Sequence, residues 1–159
     1  MTAIDVMVKM VQDRWLALLK NFDRDLDLLT DEQLQKEIAP GKNRGVYLLG
    51  HLLAVHDEMI VLLGFGDKLY PELHEAFLKS PDKAISTIPS AKELRALWTK
   101  HKEFLNQRIS GLKTAQWFEK HTAVSEEDFN KEPHRNKLNI LLTRASHLAY
   151  HAGQFVLLK

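Results

Sequence analysis

Apolar residues recur along this chain at helical spacing. Ile4, Val8, Val11, Trp15, Leu18 and Phe22 fall three or four apart, which predicts a first helix with one apolar stripe. The stripe fades in the acidic stretch from Asp23 to Asp31, where Thr30-Asp31-Glu32-Gln33-Leu34 reads as a cap and a short helix. After the Pro40-Gly41 turn signal a second long helix is expected over about Asn43 to Leu63, closed by Gly64. Tyr70-Pro71 opens a shorter helix. Ser90-Ala91-Lys92-Glu93 is a capping box, and behind it Leu94, Leu97, Trp98, Leu105 and Ile109 mark a third long helix ending near Gly111. Lys113 to Arg135 is irregular, and a fourth long helix runs from about Asn136 to the C-terminus. No period-2 strand or hairpin turn is evident. The expectation is an all-α fold, a four-helix bundle with long connections, formed by a single domain over residues 1–159. The long connections leave the order of helix directions open.

Composition narrows the chemistry. The 159 residues include no cysteine, so disulfides, thiolate metal ligands and a cysteine nucleophile are excluded. A net charge of +1 with scattered basic residues gives no footprint for nucleic acid. No apolar run approaches the roughly 20 residues of a bilayer span, and the N-terminus lacks a signal-peptide pattern. No nucleic-acid or membrane partner is expected, and the expected location is cytoplasmic. Eight histidines remain as the notable inventory.

Two of them sit on the last helix. Ile140, Arg144, His147, His151, Gln154 and Leu158 follow one another at spacings of four and three, forming a ladder whose ends are apolar and whose middle is imidazole. Histidines at i and i+4 present their rings on one face and can share a metal ion. Leu148 follows His147 where a zinc protease of the HExxH type would carry glutamate, so that general base is missing. A pair of core histidines with ordinary hydrogen bonds has the same spacing. Helix two offers two possible third ligands: His51, on a face with Leu48, Val55, Glu58 and Leu62, and His56, nearer the centre of the apolar arc with Leu52, Met59 and Leu63. Periodicity does not choose between them and slightly favours His56 as the more buried.

Gly50-His51-Leu52, followed far downstream by His147-Leu148-Ala149-Tyr150-His151-Ala152-Gly153-Gln154-Phe155, resembles the DinB-like superfamily, which includes the YfiT-type proteins. The resemblance covers essentially the whole chain. It implies a four-helix bundle, often dimeric, holding a divalent cation through three histidines. It therefore points to His51, with His147 and His151, as the ligand set. Zinc or nickel is the implied metal, with iron or manganese also compatible with imidazole. Several members of that superfamily transfer a low-molecular-weight thiol such as bacillithiol or mycothiol, and others are known only as stress-induced.

Three imidazoles leave a coordination position open, as catalysis requires. The leading expectation is thus a metal-dependent enzyme acting on a small-molecule substrate, as a thiol S-transferase or a hydrolase, and forming a homodimer. The competing expectation is a non-catalytic, stress-related interaction protein with a structural or vestigial metal site. Around the site, Asp57 is a candidate to orient a ligand histidine, Glu58 a candidate base or hydrogen-bond acceptor, and Gln154 a candidate partner of a ligand. Asp128, His134, Arg135 and Asn136 are candidate substrate contacts, because their segment leads into the metal helix. Asn136 is equally suited to be that helix's N-cap. His74 and His101 read as surface or packing residues, and the three tryptophans as core anchors.

Overall fold

A computed structural model describes residues 1–159. It is all-helical, with two isolated β-bridges and no strand. The helices are α1 (Ala3–Asp27), α2 (Asp31–Leu34), α3 (Gly45–Leu62), α4 (Ala91–Ser110), α5 (Glu126–Lys131) and α6 (Lys137–Phe155), with a π-helical turn over Glu75–Lys79 and 3-10 turns over Thr114–Phe118 and Val156–Leu158. The capping motifs read from sequence form as expected. Thr30 and Ser90 each close a reciprocal box with Gln33 and Glu93, and the Asn136 side chain accepts from the Asn139 amide. Helix α1 outlasts the predicted stripe, because Leu26 still buries its side chain before the helix ends. The irregular segment Lys113 to Arg135 holds the Thr114–Phe118 turn and α5.

Cross-helix contacts fix the directions of the four long helices. Trp15 Nε1 donates to Asn106 Oδ1 at 3.1 Å, and Trp98 Nε1 donates to Asp23 Oδ1 at 2.9 Å, so α1 and α4 run antiparallel. Phe22 meets Phe155 edge-on at 4.9 Å, while Met7 and Val11 lie beside Leu138 and Leu142. Helices α1 and α6 are therefore parallel. His51 of α3 meets both His147 and His151, and the Thr122 amide, on the approach to α6, donates to the Leu62 carbonyl at 3.1 Å. Helix α3 is thus antiparallel to α6. It follows that α3 and α4 are parallel although consecutive, and the chain between them must travel back along α3.

That return strap is tied to α3 along its length. Asp57 accepts from the amides of Leu69 and Tyr70, Glu58 from Lys68 and His74, and the Ser80 carbonyl accepts from the Tyr47 hydroxyl. Asp82 accepts from the Arg44 backbone and guanidinium at the start of α3. Midway, Phe77 is fully buried against Gly50. A Cβ at position 50 would lie 2.3 Å from the Phe77 ring, so glycine there is what admits the strap. Helix α3 is long and apolar enough to cross a membrane by composition, but 72% of that stretch is buried inside the protein, as befits the central core helix. Trp15, Trp98 and Trp117 are all buried.

Candidate metal centre

Helices α3 and α6 bring three histidines together. Ring nitrogens of His51, His147 and His151 all lie within 4.8 Å of one another. His147 Nε2 is 3.0 Å from His151 Nε2 and 3.3 Å from His51 Nε2. The opposite ring nitrogens have other partners. His51 Nδ1 lies 2.8 Å from the Phe77 carbonyl oxygen, and His151 Nδ1 lies 2.7 Å from Gln154 Oε1. A carbonyl oxygen can only accept, so His51 carries its proton on Nδ1. With the Gln154 oxygen likewise accepting from His151, the Nε2 atoms of both rings are bare lone pairs aimed at His147.

This donor set fits a divalent ion. Two imidazole nitrogens held at about 2.0–2.1 Å from one tetrahedral ion lie about 3.3 Å apart, close to the separations found here. Hydrogen bonding alone does not satisfy the group. A proton on His147 Nε2 can bridge to one neighbour and leaves the other facing a lone pair. His147 Nδ1 is buried without a partner whichever ring nitrogen carries the proton. A cation at the centre is compatible with all three lone pairs at once. Electrostatics agrees: burial, then the charges of His151, His51 and Arg144, push the His147 pKa down to about 4. Burial also lowers His151, against the raising effect of its bond to Gln154. His147 is thereby kept neutral, the form that binds metal. His151 is buried, whereas His51 and His147 are partly exposed, so the cluster reaches solvent.

The other sequence candidates divide. Gln154 is at the site and acts as acceptor to His151. Glu58 is on the same face of α3 as His51, but its carboxylate is engaged by Lys68 at 2.6 Å and by His74 at 3.0 Å. Asp57 does not orient a ligand. It sits six residues beyond His51, about 240° round the helix, where it caps the strap and lies 3.1 Å from His101 Nε2. That approach is within ion-pairing distance but not aligned as a hydrogen bond, and His101 Nε2 has no other partner. Burial raises the Asp57 carboxyl, yet His101 and the Tyr70 and Leu69 amides outweigh it and hold it below the usual carboxylate range. His56 is also turned away from the three-histidine group. It is buried between Trp15 and Trp98, with ring centroids 5.0 and 5.2 Å away, and burial drives its pKa well down. The slight preference of periodicity for His56 tracked burial rather than convergence.

The substrate candidates on the segment before α6 are not at the cluster. His147 is ten residues into α6, about 15 Å from the helix start, and Thr122 anchors the segment to the far end of α3 through Leu62 and Val61. Asp128 is exposed in the first turn of α5, and Arg135 pairs with Glu132. Asn136 is the N-cap of α6. With exposed His134 it lines a shallow groove beside Met7 and Leu138, on the face of α6 turned away from the histidines. Sequence reading missed Phe77, whose contribution is a backbone carbonyl, and missed that His101 is buried beside Asp57.

Comparison with known proteins agrees with this architecture. A crystal structure described as a conserved protein from Enterococcus faecalis superposes with a TM-score of 0.65 at 16% identity, over 98% of this chain and 94% of that one, a likeness of fold alone. No curated protein matches the sequence. The family pattern of the DinB superfamily matches residues 8–155, nearly the whole chain with all three histidines inside it, and the protein belongs to that superfamily.

Proposed function

We propose that this protein is a divalent-metal-dependent enzyme built on a four-helix bundle, with His51, His147 and His151 as the metal ligands. The observation that carries the proposal is the convergence of three Nε2 atoms, two of them fixed as lone pairs by Phe77 and Gln154. A bound ion supplies Lewis acidity, lowering the pKa of a water or thiol that reaches it. The protein's own groups do the rest. Phe77 and Gln154 hold two rings in the ligating tautomer, burial keeps His147 unprotonated near neutral pH, and partial exposure of His51 and His147 leaves an approach for a small molecule. The reaction is thiol S-transfer or hydrolysis, with a low-molecular-weight thiol as cosubstrate in the first case. Zinc or nickel suits the ligand set best, and iron or manganese are also compatible.

We read the chain as a cytoplasmic homodimer, supported by family resemblance. Exposed Leu142 and Tyr150 on α6, and Val156 and Leu157 in the 3-10 turn that follows it, with open space around Gly153, suit such an interface. The function is tested by assaying metal-replete protein for thiol conjugation to electrophiles and for ester and amide hydrolysis. Turnover that His147→Ala abolishes, with the melting temperature of the metal-free protein kept, supports the enzyme. Absence of turnover across both panels refutes it and leaves a non-catalytic interaction protein.

A further inference from the structure

One cation beside the metal centre lacks a partner. Arg144 stands one turn before His147 on the same ladder, and its charge is felt at both His147 and His56. The other partly buried arginines, Arg44, Arg95 and Arg135, each hold a carboxylate, those of Asp82, Asp31 and Glu132. Arg144 holds none, and its Nε is buried without any hydrogen-bond partner. The one acid whose charge bears on it is Glu58, on α3, but that carboxylate is already shared by Lys68 and His74. Lys68, Arg144 and Glu58 together leave one positive charge over. A buried Nε–H without an acceptor is costly until one arrives, and the residue is only partly buried, so an anion can reach it.

We propose that Arg144 is the anion-binding half of the site. The substrate or cosubstrate carries a carboxylate, phosphate or sulfonate group, which the free guanidinium fork takes while the reacting group is presented to the three histidines. The placement of the reacting group rests on the metal reading above, whereas the anion subsite does not. Arginine suits the task because its planar fork grips such groups through two parallel N–H bonds. The site would then select small anionic molecules over neutral ones of the same reactive group.

The test uses the full-length protein, metal-free, with inorganic phosphate as probe and the arginine side-chain Nε–H resonances as readout. The Arg144 resonance is expected to shift saturably with phosphate. Arg144→Met is expected to weaken phosphate binding about tenfold or more, the scale of one charge-assisted contact, and Arg144→Lys to weaken it less. Failure of the Arg144 resonance to respond, or unchanged phosphate affinity in Arg144→Met, overturns the inference. Should Arg144→Met fold poorly, the wild-type resonance and the lysine variant still decide. A cobalt(II) titration of the same wild-type sample separates the two readings. Cobalt binding without a phosphate response sinks the anion subsite alone. A phosphate response without cobalt binding upholds the subsite and removes the metal reading.

Discussion

Replacing Gly50 by alanine tests how the strap creates the site. On an unencumbered helix the change would stabilise by about 1 kcal/mol through helix propensity. Here the new Cβ would fall 2.3–2.5 Å from three atoms of the Phe77 ring, where ordinary contact begins at 3.4 Å. Relief requires the ring to retreat by about 1 Å, and a fully buried ring moves only with its surroundings. Overpacking of this kind costs about 1–3 kcal/mol, and the 2.8 Å bond from His51 Nδ1 to the Phe77 carbonyl is stretched past bonding length, for about 1 kcal/mol more. Set against the propensity gain, the net loss is about 2 kcal/mol, or a melting temperature lower by about 4–8 °C in a domain of this size. Metal affinity, read by chelator competition, should fall about tenfold as His51 loses its orienting acceptor. Phe77→Leu keeps the carbonyl and removes ring atoms, so the double variant should recover much of both losses. An alanine variant as stable as wild type, or more so, would show that the strap does not press on Gly50 and would refute the reasoning.

Three further outcomes are expected. Gln154→Leu removes the acceptor from His151 Nδ1 and should lower metal affinity about 10–100-fold, while the melting temperature of the metal-free protein changes little; equal metal affinity would contradict the tautomer argument. His56→Ala should destabilise by about 2–3 kcal/mol through the cavity left between Trp15 and Trp98, with metal affinity unchanged; chemical denaturation beside a metal titration checks both. The pH dependence has a definite sign. His147 is near pKa 4 in the folded protein and near 6.5 in the unfolded chain, so the unfolded state binds the proton first. Its stabilising contribution is complete above about pH 6.5 and is lost as pH falls toward 4. His147→Gln should flatten that part of the stability profile of the metal-free protein, and an unchanged profile would contradict the assignment.

Elements with their own local signal were legible in the sequence. The apolar stripes and the capping residues Thr30, Ser90 and Asn136 encode their helices directly, since caps and periodicity act within a few residues. His147 and His151 were legible for the same reason, because a spacing of four fixes them on one face, and Gln154 follows one turn later. His51 was different. Helix α3 is buried nearly all round, so periodicity ranked His56 higher, and only the packing of α3 against α6 decides which imidazole meets the pair. The resemblance carried that choice. The Phe77 carbonyl was illegible, because a backbone acceptor leaves no mark in side-chain pattern and its position depends on a strap folding back over Gly50. Asp57 drew attention by lying near His51 in sequence. Its helical phase, two-thirds of a turn away, already argued for the opposite face, toward His101. The polar residues from Asp128 to Asn136 were placed near the site by chain order alone, and the rise of α6 carries them about 15 Å from it.

The central claim is that His51, His147 and His151 together hold a divalent ion, and it is tested most directly by metal content. Native mass spectrometry of the wild type and of the His51→Ala, His147→Ala and His56→Ala variants is the measurement. The account predicts one ion per chain in the wild type and in His56→Ala, and none in the other two. A wild type that binds no divalent metal, or loss of the ion in His56→Ala with retention in His51→Ala, would contradict it.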